Sequence, residues 1–175
     1  MTMPMKATLS SAASSNWIPL NLLATPFNVA IGCVCSSNIN ATYSVDYSYD
    51  NPNVPVACSI SRTTTTATLT LTNHGLTTND SVIVTGSGDS NLDGTYKVAS
   101  VVDQNNVTYT VVNTGATASI SSKVSPMRVF THPTITGQTA NADGNIAFPI
   151  CAVRLRVSAW TAGYVTMLVN QAGIT

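Results

Sequence analysis

Neither end of this 175-residue chain carries enough apolar sequence to fold alone, yet the two ends share a texture that the middle lacks. Toward the N-terminus stand Trp17-Ile18-Pro19-Leu20, the β-branched run Pro26 to Cys35, and Ala41 to Tyr49. In that last stretch Tyr43, Val45, Tyr47 and Tyr49 alternate with Thr42, Ser44, Asp46 and Ser48, the period-two pattern of a strand with one core face and one wet face. Beyond Pro126 the same character returns in Met127 to His132, Ile146 to Phe148, Ala152 to Ala159 and Gly163 to Asn170, with Val153, Leu155 and Val157 predicted inward and Arg154 and Arg156 outward. Between them lies a Thr-rich segment of about five short predicted strands, enough for a small barrel or sandwich. These are Ile60 to Thr72, Ser81 to Thr85, Thr95 to Val102, Asn106 to Val112 and Ala116 to Ser121. The economical organisation is a discontinuous β-sandwich over 17–54 and 124–175, with a small β domain, 55–123, inserted at a loop. Met1 to Asn16 has no hydrophobic period and is expected to be an exposed arm rather than a secretory leader.

Composition supports strands and turns. Every acid is Asp, only 8% of residues are charged, and Thr, Ser, Asn and Val abound, which is poor helix material. The expected fold class is therefore all-β: an antiparallel, jelly-roll-like β-sandwich carrying the inserted barrel. Zero formal net charge leaves no footprint for nucleic acid or an anionic membrane, and no apolar run is long enough to span a bilayer. So little charge also weakens repulsion between copies and favours association.

Few strings carry chemistry. Asp89-Ser90-Asn91-Leu92-Asp93-Gly94 matches the first half of a calcium loop, making Asp89, Asn91 and Asp93 weak metal candidates. Position twelve is Ser100 rather than Glu, so a tight turn is the better expectation, as it is for Asn141 to Asn145. There is no nucleophile-elbow G-x-S-x-G and no phosphate loop, so neither a catalytic residue nor a cofactor is assigned. Cys33, Cys35, Cys58 and Cys151 form no CxxC pair and are expected to be small buried hydrophobes. Interface anchors are sought among Trp, Tyr and Arg residues: Trp17, Arg154, Arg156, the tyrosines along 41–49, and Trp160 at a predicted hairpin tip.

The stretches WIPL through PFNVAIGCVC, ATYSVDYSYDNP, and TGQTANADGNIAFPICAVRLRVSAWTAGYVTMLVNQAG resemble small virion proteins of tailed bacteriophages. The middle, with HGLTTNDSVIVTG, LDGTYKV and TYTV, is similar to a β-module scattered through phage structural proteins. The resemblance implies a non-enzymatic virion component, expected on the outer capsid surface as a decoration or cement protein. The implied partners are the major capsid protein and further copies of the chain as a dimer or trimer. It leaves open a tail, baseplate or fibre-attachment part and, in another class, a carbohydrate- or receptor-binding module whose glycan would be recognised by surface aromatics.

Overall fold

The computed structural model describes residues 4–174. In chain order its strands are β1 (Met5–Leu9), β2 (Ile18–Pro19), β3 (Thr25–Cys35), β4 (Asn40–Ser48), β5 (Val56–Thr70), β6 (Ser81–Thr85), β7 (Gly94–Asp103), β8 (Asn106–Met127), β9 (Phe130–Thr131), β10 (Ala142–Ile146), β11 (Ala152–Ala162) and β12 (Val165–Ile174). No helix occurs among the described residues, and every strand pairing is antiparallel. The chain forms two compact units, Met1–Tyr49 with Phe130–Thr175, and Asp50–Val129.

The first unit is a β-sandwich. One sheet has the order β1-β12-β3-β10 and the other β2-β11-β4-β9. Alternation builds the shared core: Val29, Ile31 and Cys33 of β3 and Val165, Met167 and Val169 of β12 come from one sheet. Tyr43 and Val45 of β4, with Val153, Leu155 and Val157 of β11, come from the other. Register matches the pattern, Ile31 facing Val169 and Val45 facing Leu155.

Three expectations are corrected here. Residues 4–16 of the predicted arm are not a free tail, because Met5–Leu9 adds to the edge of β12, and Ala13 and Ser15 accept or donate backbone bonds along β11. Residues 1–3 of that arm lie outside the described residues. Asn141 to Asn145 is mostly strand rather than turn, since β10 pairs with β3 from Ala142 opposite Cys33 to Ile146 opposite Val29. The predicted wet face of β4 is buried: Ser44, Asp46 and Ser48 are covered as thoroughly as the core face.

Gly144 of β10 owes its identity to His132, whose imidazole carbon a Cβ would meet at 2.7 Å. The buried His132 ring accepts the amides of Thr134 and Ile135 at Nδ1, both at 3.2 Å, and its Nε2 lies 3.3 Å from the Asn145 carbonyl. Burial holds its pKa below the ordinary 6.5, against the Asn145 carbonyl, which raises it. The unfolded chain therefore takes up the proton first as pH falls. His132 contributes stability that is present above about pH 6.5 and lost as pH drops toward the lower folded value. Unfolding midpoints should fall between pH 7 and 5, and His132→Gln should flatten that slope; an equal slope in the variant would assign it elsewhere.

The second unit closes into a small barrel. The first part of β5 pairs with the end of β8, β8 with β6, β6 with β7, β7 with the start of β8, and that start with the end of β5. The two strands predicted at 106–112 and 116–121 are one bent strand, and register shifts opposite Arg62 and Thr66 supply the bend. Ile60, Leu69, Val82, Val98, Val107 and Tyr109 fill the interior. The unit is wider than the expected 55–123. Asp50 holds the Arg128 amide and guanidinium, Ser125 Oγ donates to the Pro52 carbonyl, and Val124 sits in this core.

Candidate functional site

The end of β4 gathers an exposed aromatic patch on the first unit. Tyr47 lies opposite Phe130 in the β4–β9 pairing, and their rings stack at 5.5 Å and 22°. Tyr49 and Phe148 form a second near-parallel pair at 6.2 Å and 30°. The pairs meet edge to face, Tyr47 with Tyr49 at 5.8 Å and Tyr49 with Phe130 at 5.4 Å, the geometry that aligns ring edges with ring faces. Tyr49 is 51% exposed, Phe130 43% and Phe148 41%. Four rings that hold one another in place, three of them showing about half their surface, are pre-ordered for contact, so little side-chain freedom remains to be lost on binding. Tyr43, from the same alternating series, is instead wholly buried and donates its hydroxyl to the Ala140 carbonyl at 2.7 Å.

The four Trp and Arg interface candidates separate. Trp17 is buried, the Arg154 guanidinium stacks 4.5 Å from the centre of its ring, and Arg154 is itself buried. Neither is available to a partner. Arg156 donates through Nε and Nη2 to Asp46, which raises its pKa, and its side chain is one-third exposed. Asp46 also takes Arg154 Nε at 3.2 Å and is 0% exposed, so the arginines predicted outward clamp a buried carboxylate on the supposedly wet face. Trp160 is 38% exposed, and its indole N–H donates to the Gly163 carbonyl at 2.9 Å. It belongs to β11 rather than to the tip, and two register shifts there turn it outward.

The calcium-like loop is engaged with its own chain. Asp89 accepts the Asn91 backbone and side-chain amides at Oδ1 and Arg62 Nη2 at Oδ2; the Asn91 bonds, more than Arg62, lower its pKa. Burial raises the Asp93 carboxyl, but bonds from Ser87 and Gly86 win and hold it below the usual range. Carboxylates aimed at N–H donors make a turn rather than a cation cage. Among the described residues no group of three or more His, Cys or Asp side chains is placed to hold a metal.

Most other titratable groups are also structural. Asp80 accepts from Thr77 and Val129, and Asp103 from Asn105 and Asn106. His74 repeats the role of His132, accepting the Leu76 amide at Nδ1, with the Asp103 carbonyl 2.9 Å from Nε2. Of the cysteines only Cys33 is fully buried, and burial pushes its thiol up to about 12; Cys35, Cys58 and Cys151 are half-buried, and no disulfide joins any of the four.

Sequence reasoning pointed at the β4 tyrosines but missed Phe130 and Phe148. Phe130 sits inside a predicted strand and Phe148 at the end of another, and each gave an apolar signal with no indication that it faced solvent.

No family model matches the chain, and no curated protein matches it. Among solved structures it is similar to phage phi92 endosialidase, with 26% identity and a TM-score of 0.33. That match covers 46% of this chain and 15% of the other.

Proposed function

We propose that this chain is a structural component of a tailed-phage virion, a decoration protein that binds the outer capsid shell through the Tyr47, Tyr49, Phe130 and Phe148 patch. The observation that carries the reading is the patch itself: a half-exposed, uncharged aromatic surface of the kind that anchors protein interfaces. The sequence resemblance supplies the setting. A binding role rather than a catalytic one fits the engagement of six of the seven Asp residues and both His residues in bonds that hold turns and strands together.

The test is to add purified protein to capsids lacking it, count bound copies and follow shell disruption on heating. Saturable binding with a higher disruption temperature is expected. Tyr49→Ala with Phe130→Ala should weaken binding by about 1,000-fold, because central aromatic anchors contribute roughly 2 kcal/mol each. Full binding by that double variant, with an unchanged fold, would remove the patch from the interface. Binding to tails but not shells would move the protein to the tail, and glycan binding without particle binding would favour the carbohydrate reading.

A further inference from the structure

The barrel of the second unit contains a guanidinium whose hydrogen bonds do not close. Arg62 follows a register shift in β5, is 8% exposed, and lies so closely over Gly115 of β8 that a Cβ there would stand 2.8 Å from Cζ and nearer still to Nη2. Nη2 donates to Asp89 Oδ2 at 3.1 Å, while Nε and Nη1 are buried with no hydrogen-bond partner. A second wholly buried group in the same barrel shares this condition, the hydroxyl of Tyr109. The Tyr109 ring stacks on Tyr96 at 4.5 Å, and the Tyr96 hydroxyl is itself satisfied by the carbonyls of Asn91 and Asp93. One short loop reaches both neighbourhoods: Asp89 takes Arg62, and the carbonyls of Asn91 and Asp93 take the hydroxyl of the ring stacked on Tyr109.

Leaving a buried donor unmet is destabilising, the more so when it carries charge, so folded proteins retain few such groups. Here there are three, two of them on one cation. The nearby carboxylates do not meet them, because Asp93 is turned to the Gly86 and Ser87 amides and Asp89 is shared between Asn91 and a single Arg62 nitrogen. What complements three donors is an acceptor. A guest with protons of its own adds further donors to three that already lack an acceptor, whereas a halide adds none.

We propose that the barrel of the second unit holds one small inorganic anion of halide size, bounded by the Arg62 guanidinium and the Tyr109 hydroxyl and kept in place by the loop that carries Asp89. The ion is structural, bound by the native unit and not by the unfolded chain, so it ties stability of the barrel to halide concentration. Arg62 supplies charge and two donors, Tyr109 the third donor, and Gly115 the space in which the guanidinium lies flat.

The experiment uses the full chain and bromide as the probe. Thermal unfolding is followed while sodium bromide replaces sodium methanesulfonate at fixed ionic strength, and crystals grown in bromide are examined for anomalous scattering. A saturable rise of about 5 °C is expected, with an anomalous peak beside Arg62 Nη1 and Tyr109 Oη. Tyr109→Phe, which keeps the ring stack, should shift the bromide midpoint about tenfold higher. Arg62→Met should abolish the dependence; should that variant not fold, the anomalous peak decides alone. A response as large in Arg62→Met as in the native chain, or a light atom with no anomalous signal at the site, would overturn the proposal in favour of a buried water.

Discussion

Asp46→Ala should destabilise the first unit by about 3–5 kcal/mol, the range seen when one partner of a buried ion cluster is removed. Asp46 is 0% exposed and accepts from Arg154 Nε, Arg156 Nε and Nη2, and Thr131 Oγ1. Removing it leaves two guanidiniums facing each other, one of them buried under Trp17 with little access to water. Asp46→Asn keeps the shape and some acceptor capacity while deleting the charge, and should cost less. The second unit provides the contrast: Arg128 pairs with Asp50 at 2.6 Å but is half exposed, so Arg128→Ala should cost no more than about 1 kcal/mol. Denaturant unfolding is followed by Trp fluorescence for the first unit, where Trp17 reports on the cluster directly, and by circular dichroism for the second, which holds no Trp. A cost for Asp46→Ala below that for Arg128→Ala would show that the arginines find other acceptors.

Gly163→Ala is the second large effect, at about 2–4 kcal/mol from left-handed strain and overpacking together. Gly163 links β11 to β12 at φ +79°, and a Cβ there would stand 2.9 Å from Ile39 Cα and nearer still to Ser36 Oγ. The hydroxyl can rotate, but the backbone of Ile39 cannot. Ser36 also accepts the Tyr164 amide at Oγ and donates its own amide to the Tyr164 carbonyl, so the two turns are locked together. Gly137 isolates the backbone part. It has φ +62° and nothing within 4 Å of where an added methyl would sit, so Gly137→Ala should show the conformational strain alone, about 1 kcal/mol. Equal losses in the two variants would mean that the 36–39 turn moves aside freely.

Much of the sandwich was legible because burial on the inner faces is written in a two-residue period. Val153, Leu155 and Val157 point inward as the alternation requires, and β6 spans Ser81–Thr85 as predicted. Less legible was whatever depended on a remote segment covering a polar face. Asp46 sits at a wet position in the local pattern, and only the approach of β11 with its two arginines, under Trp17, makes that position dry. The patch was half visible for the same reason: alternation placed Tyr47 and Tyr49 on one face, but Phe130 and Phe148 join them through pairing and packing across more than 80 residues of chain.

Strand propensity and alternation are local properties, so the order of residues alone dictates an antiparallel β chain and which faces of most strands are apolar. Tertiary structure alone decided that β1 joins β12, that β8 is one bent strand shared around the barrel, and that the charged groups meet as buried clusters. Edge pairing, ring closure and the company a buried charge keeps are set by segments far apart in the chain. The free energy of each depends on what else has already been removed from water.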